Sequence, residues 1–253
     1  MMRQILKGLV DGSPISQKQR LMLASSHQEI GYVCVTLRSL SRNQQLPGKY
    51  IGNSFENNFP NSFSFPCGED IVGIIDLRYL CDDGGDWNEG LTARLFPMLE
   101  SLKLCAGVSN DFIDLNDARI YHNQTEAALE SGILADPQSI CYFFSDYALM
   151  EMIVNSLGAL PVETYFPNGF KKIIKHDETS TVSFFHTLKV FLDESMSYSR
   201  AANTLYIHRS TLVDRMDRIN RELGIDMTNP NQRLHLQLLI KAVEIQDLIK
   251  RNI

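Results

Sequence analysis

Ser199-Arg200-Ala201-Ala202-Asn203-Thr204-Leu205-Tyr206-Ile207-His208-Arg209-Ser210-Thr211-Leu212 reads as a short helix, a tight turn and the start of a second helix. The paired alanines at 201 and 202 let the two helices approach closely, and Leu205, Ile207 and Leu212 can fill the wedge between them. The second helix opens on Arg209, Ser210 and Thr211, a polar start that is left facing outward. Helix-turn-helix segments that read DNA have this construction, with the first residues of the second helix meeting base edges and phosphates. The segment predicts a DNA-binding transcription regulator.

Downstream, the second helix is expected over about 209–223, and Gly224 stands where a left-handed C-terminal cap is needed. Asn229-Pro230 supplies an N-cap and a first-turn proline for a last helix, 231 to about 250. Its Leu234, Leu238, Ile245 and Leu248 are expected to clamp the second helix from behind. Upstream, Val182, Phe185, Leu188 and Leu192 form a single apolar face on a helix over 182–192. Ser197 or Ser199 can cap the helix at 200–205. The C-terminal third is therefore four helices.

The chain of 253 residues carries 24 Lys/Arg and 30 Asp/Glu, a net −6 that by itself argues against nucleic acid. The distribution reverses that reading. Residues 178–253 hold ten Lys/Arg and nine Asp/Glu, or +1, which leaves 14 against 21, or −7, for the rest. Between Arg200 and Arg221 stand five Arg and two Asp, a local balance of +3. Positive charge sits where the motif is, as an electrostatic footprint should. One copy with so small a footprint binds weakly, so a homodimer is expected, reading half-sites about 34 Å apart.

An apolar share of 44% and a charged share of 21% are those of an ordinary globular protein. No apolar run approaches the roughly 18 residues needed to span a bilayer. The first residues, with Arg3, Lys7 and Asp11, lack the shape of a signal peptide. The expectation is a cytoplasmic protein with no membrane partner. Cys34, Cys67, Cys81, Cys105 and Cys141 are odd in number and never spaced as a metal knuckle, so they read as reduced, partly buried thiols. No cofactor and no metal are expected.

Ahead of residue 146 the pattern alternates between helix and strand. Short helices are expected at 5–10 and up to about 24, either side of Gly12-Ser13-Pro14. Strands follow at 32–37, 62–65, 71–75, 104–108 and 140–143, and helices end near Phe55, at Leu102 and at Gly132, which is placed near a C-cap. Cys67-Gly68-Glu69-Asp70 is the tip of a hairpin between the second and third strands. The order β-α-β-β-α-β-α-β fits an α/β (α+β) sandwich with a partly antiparallel sheet. The expected division is an α/β domain over 1–145, a helical linker over 146–177 with its hinge at 161–170, and an all-α helix-turn-helix domain over 178–253.

Two blocks go beyond a generic helix-turn-helix. One is His176-Asp177 followed by Phe185-His186-Thr187-Leu188-Lys189-Val190-Phe191-Leu192. The other is Leu205-Tyr206-Ile207-His208-Arg209-Ser210-Thr211-Leu212 with Arg218-Ile219, Leu223-Gly224-Ile225-Asp226 and Arg233-Leu234 behind it. Together they resemble the C-terminal DNA-binding domain of the PucR/CdaR family of bacterial regulators, itself similar to the Fis-type helix-turn-helix. The resemblance covers roughly 165–253. More loosely, the preceding region resembles the GGDEF-like domain common in that family, in a degenerate form. The family's further N-terminal sensor domain has no counterpart here, which points to a short member or a trimmed chain.

The resemblance implies that Arg209 is the recognition-helix arginine and that Ser210 and Thr211 touch base edge or phosphate. Chemistry agrees independently: arginine suits guanine O6/N7, and helix N-terminal amides with small hydroxyls suit phosphate oxygens. His208, at the N-cap position, is read as structural or as a phosphate neighbour. Arg215 and Arg218 share a face with Thr211 and are read as backbone contacts. The bland alternative is that Arg215, Arg218 and Arg221 merely pair with Asp214, Asp217 and Glu222 along the helix. Two departures stand out: Val213 replaces a frequent base, and Asp214 a frequent aromatic. Asp214 and Asp217 repel phosphates.

Asp82-Asp83-Gly84-Gly85-Asp86 contains the Gly-Gly-Asp of a cyclase signature, but it follows a strand and reads as an exposed turn. The hairpin position is held by Cys67 to Asp70, and residues 34–38 offer no carboxylate for a metal. An enzyme is therefore not expected. Three rivals to the double-stranded-DNA regulator remain in view. They are a ligand- or nucleotide-sensing module whose GGDEF-like domain takes a small-molecule effector, a residual nucleotide cyclase, and a protein-interaction module.

Overall fold

The computed structural model of the chain describes residues 1–24, 31–40, 46–80, 86–158 and 160–252. The chain divides into two compact units, Met1–Glu151 and Met152–Ile253. The first is a mixed α/β region and the second is helical.

In the first unit, helices α1 (Met2–Val10) and α2 (Gln17–Ala24) precede strand β1 (Tyr32–Ser39). Then come α3 (Gly48–Asn58), the hairpin β2 (Phe63–Cys67) and β3 (Asp70–Asp76), α4 (Trp87–Leu102), β4 (Leu104–Phe112), α5 (Ala118–Ala135) and β5 (Cys141–Phe143). Helix α6 (Phe144–Leu157) runs across the division between the units. The sheet order is β2-β3-β1-β4-β5. β1 is antiparallel to both β3 and β4, and β5 joins β4 in parallel. β1 thus lies between β3 and β4, the two arms of a split βαβ unit.

β1 is central, which explains why Tyr32-Val33-Cys34-Val35-Thr36-Leu37 is a continuous run with little polar interruption. Its period-two alternation feeds two cores. Val33, Val35 and Leu37 pack with Phe55 of α3 and Leu91, Leu95 and Leu99 of α4. Tyr32 and Cys34 pack on the other side with Ile5, Leu6 and Val10 of α1. Burial of each such side chain stabilises the unit by about 1.5–3 kcal/mol. The exception is Thr36, whose hydroxyl lies 2.5 Å from Thr125 Oγ1 and 3.2 Å from His122 Nδ1 of α5.

Gly132 does not end its helix. α5 continues to Ala135, and Gly132 sits inside it because a β-carbon there would lie 2.2 Å from the Tyr142 ring. The glycine serves helix-to-strand packing and not termination.

In the second unit, α7 (Phe170–Thr179), α8 (Phe184–Asp193), α9 (Tyr198–Thr204), α10 (Arg209–Leu223) and α11 (Pro230–Arg251) surround one core. That core includes Phe170 and Ile173 of α7, Leu188 of α8, Ala201 and Ala202 of α9, Leu212, Met216, Ile219 and Leu223 of α10, and Leu236 and Ile240 of α11. Phe170 and Ile173, within the segment read as a linker, have no exposed surface. Val182 lies ahead of α8, and Ser183 caps that helix by accepting the His186 amide at 2.9 Å.

The clamping face of α11 also differs from expectation. Leu236, Leu239, Ile240 and Ala242 are buried, Leu238 and Ile245 are partly buried against Ile153 and Val162, and Leu234 is 54% exposed. Leucines and isoleucine crowd 234–240, so two overlapping stripes satisfy helical spacing, and packing against α8 and α10 selects between them.

Candidate nucleic-acid interface

Ser197, not Ser199, caps α9, its hydroxyl accepting the Arg200 amide at 3.4 Å. The chain leaves α9 through a paired C-terminal cap: Ile207 N–H donates to the Ala202 carbonyl and Tyr206 N–H to that of Asn203. That cap requires a left-handed residue, and Tyr206 takes it at φ 55°. A non-glycine there costs about 1 kcal/mol. Its side chain recovers little of this through packing, being 95% exposed. No motif in the sequence singled out Tyr206 as a strained and exposed aromatic between the two helices.

α10 starts at Arg209, with His208 in the N-cap position and extended at φ −67°, ψ 147°. The imidazole makes no capping hydrogen bond. Among the described residues no capping side chain accepts from the first-turn amides, at the end of the helix where negative charge is favoured. His208, Arg209, Ser210 and Thr211 are all exposed, as is Arg218, and Arg215 is half-buried. Leu212, Met216, Ile219 and Leu223 hold the opposite face in the core. At its far end Gly224, at φ 62°, closes the helix as its sequence position implied. Asn229 then caps α11 through the Asn231 and Gln232 amides, with Pro230 in the first turn.

The site residues do not share one face. Thr211, Arg215 and Arg218 follow each other at four and three residues and line one side of α10. Arg209 is nine residues from Arg218, two and a half turns, and so projects from about the opposite side. Arg209 can join the others only at an object met by the tip of the helix, as a groove would be.

The charges separate the two readings of these arginines. Among the described residues, Arg209, Arg215, Arg218 and Arg221 make no ion pair. Arg221 Nε donates to the Asp217 backbone oxygen at 3.2 Å, and Glu222 is bound by Lys172 at 3.4 Å. Three other cations of the unit are compensated, Lys189 and Lys241 by Glu244 and Arg200 by Glu194, whereas Lys171, Lys175, Arg233, Lys250 and Arg251 make no ion pair among the described residues. Pairing along the helix therefore does not account for the arginines of α10.

His176 and Asp177 brace the domain. The His176 ring stacks on Phe184 with centroids 3.8 Å apart. Asp177 accepts the Phe184 and Phe185 amides at 2.7 and 2.9 Å and the Ser183 hydroxyl at 2.6 Å. Burial pushes its carboxyl up, but bonds from Ser183, His176, Phe184 and Phe185 outweigh this and hold it below its ordinary value.

In the first unit, Cys67 and Asp70 face each other across the β2–β3 turn. Asp70 accepts Arg38 Nε and a terminal nitrogen at 3.0 and 2.7 Å, and Arg38 also donates to Glu126 at 2.8 Å. Its carboxylate is thus engaged by a guanidinium whose own pKa is raised first by that hydrogen bond. Among the described residues, no three His, Cys, Asp or Glu side chains are grouped to hold a metal ion. The Gly-Gly-Asp turn at 82–86 lies outside the described residues except for Asp86, which caps α4 through the Asn88 amide. Cys34, Cys67, Cys105 and Cys141 are free thiols, and burial pushes Cys141 up to about 12. His122, which no spacing singled out, is buried, and burial lowers its pKa.

These features define a helix-turn-helix domain. Residues 184–242 match the PucR C-terminal helix-turn-helix domain, the same family that the two sequence blocks resemble. Over 190 residues the chain is 27% identical to the purine catabolism regulatory protein of Bacillus subtilis (strain 168), covering 70% of this chain and 34% of that protein. Over 50 residues it is 40% identical to an uncharacterized protein in the pkwA 5′ region of Thermomonospora curvata, covering 20% of this chain and 28% of that one. The chain thus spans about a third of the length of the curated relatives it matches. Among solved structures, a regulator of polyketide synthase expression from Bifidobacterium adolescentis aligns over 97% of this chain and 93% of its own. That alignment has 15% identity and a TM-score of 0.46.

Proposed function

We propose that the chain is a cytoplasmic, sequence-specific DNA-binding transcriptional regulator that acts as a dimer, with α10 as its recognition helix. One observation carries this reading: α10 presents Arg209, Arg215 and Arg218 with no carboxylate partner among the described residues, while its other face is fixed in the core. Unneutralised guanidinium groups on a rigid helix suit phosphate and guanine acceptors. Arg209 reads a base edge, while Ser210, Thr211 and the open first-turn amides take phosphate, with His208 beside them. Arg215 and Arg218 hold the backbone.

In this reading residues 1–145 form a degenerate GGDEF-like domain that supplies dimerisation or answers an effector. Residues 146–177 connect it to the DNA-binding domain at 178–253, with α7 at the end of that segment packed into the helical core. No helix among the described residues is long and apolar enough to cross a membrane. The test is selection from a randomised duplex pool at two salt concentrations, with Arg209→Ala in parallel. Enrichment of a two-fold-related sequence that the substitution abolishes is the expected result. Absence of enrichment with the intact chain would overturn the proposal.

A further inference from the structure

Helix α7 lies ahead of the matched segment 184–242, yet it forms one wall of a groove whose other wall is α10. The groove encloses about 630 Å³. Lys172 and Lys175 line it from α7, and Arg218 and Arg221 from α10. Each pair is spaced three residues apart and so shares a helix face. Glu222 is the carboxylate of the lining, and Lys172 takes it at 3.4 Å. Lys175, Arg218 and Arg221 have no carboxylate partner among the described residues.

The floor is apolar. Ile173 is fully buried there, and Phe184 lies beneath the stacked ring of His176. Asp177, the nearest acid in sequence, is turned to the first amides of α8. Cations of one sign above a low-dielectric floor give a stronger field than the same cations on an open surface.

We infer that this groove binds phosphate oxygens through Lys175, Arg218 and Arg221, and that the phosphates are those of a duplex strand. The inference rests on the DNA-binding reading above. Arg218 and Arg221 lie nine and twelve residues beyond Arg209, about 14 and 18 Å along the helix. The major groove is about 12 Å wide, so a helix whose tip meets bases carries these residues out to the flanking backbone. α7 then adds a hold that is independent of sequence and lies outside the helix-turn-helix itself.

Two titrations of the whole chain test this. Fluorescence anisotropy with duplexes of several sequences, across a salt series, compares the parent with the double variant Lys175→Gln/Arg221→Gln. The paired substitution Lys189→Gln/Lys241→Gln, which removes two ammonium groups that both pair with Glu244, is the control for the loss of two charges. Calorimetry with inorganic pyrophosphate probes a free phosphate source. The expected result is a salt slope smaller by about 1.8 in the double variant, about 0.9 per lost phosphate contact, on every sequence alike. An equal fall in the control, or an unchanged slope and affinity in the double variant while the parent binds duplex, overturns the groove and leaves the recognition helix standing. Pyrophosphate binding that the double variant loses, with no duplex binding by the parent, keeps the phosphate site and overturns the DNA reading. Binding of neither overturns both.

Discussion

Gly169 lies so close to the Glu222 carbonyl that a β-carbon on it would sit 1.8 Å from the oxygen. Its backbone, at φ −86°, is open to any residue, so the glycine is there for proximity and not for conformation. This contact seats the start of α7 on the end of α10.

Gly169→Ala is therefore expected to destabilise the helical unit by about 1–3 kcal/mol, the usual range for an overpacked core. Urea denaturation followed by circular dichroism measures it. A variant as stable as the parent would mean that α7 can lift from α10 at no cost.

Gly224 and Tyr206 share the left-handed conformation, and opposite substitutions should have opposite signs. Space around Gly224 is open, with nothing within 4 Å of where a β-carbon would stand, so Gly224→Ala meets only the backbone penalty of about 1 kcal/mol. Tyr206→Gly removes the same penalty and is expected to stabilise by a similar amount. Thermal denaturation of the two variants should move the midpoint in opposite directions. If Tyr206→Gly also weakens duplex binding, the strained tyrosine is part of the interface.

Asp177→Ala is expected to cost about 1 kcal/mol at neutral pH, because two first-turn amides of α8 lose their acceptor. The folded state holds this carboxyl below its ordinary value, so the contribution is complete above about pH 4 and fades as pH falls through the lowered value. Stability measured from pH 7 down to pH 2 should converge between parent and variant at the acid end. Parallel curves would remove Asp177 from the acid response.

Arg209 and Arg218 should fail differently. Arg209→Ala is expected to lose discrimination between sequences, by about 1–3 kcal/mol at the contacted base pair. Arg218→Ala should weaken all duplexes alike and reduce the salt slope by about 0.9. Anisotropy on matched and mismatched duplexes separates the two patterns. Identical behaviour of the two variants would dissolve the division between base reading and backbone holding.

Features set by local chemistry are legible in the sequence. Gly224 as a left-handed stop, Asn229-Pro230 as a start, and Ala201-Ala202 as the close approach each depend on a few neighbouring residues. The same holds for the cysteine-glycine hairpin tip and the buried run at 32–37. Gly132 is not legible as a packing residue, because its reason, the Tyr142 ring, lies on another element. The apolar face of α11 is not legible either, because 234–240 offers two stripes of nearly equal quality.

By itself, then, the sequence determined the order of helices and strands, the helix-turn-helix and its caps, and the residues that open α10. These follow from backbone preferences and short-range hydrogen bonds that each segment carries with it. Tertiary structure alone decided that α7 joins the helical core and that the α10 arginines lack carboxylate partners among the described residues. Those outcomes depend on distances between segments far apart in the chain, which only packing fixes.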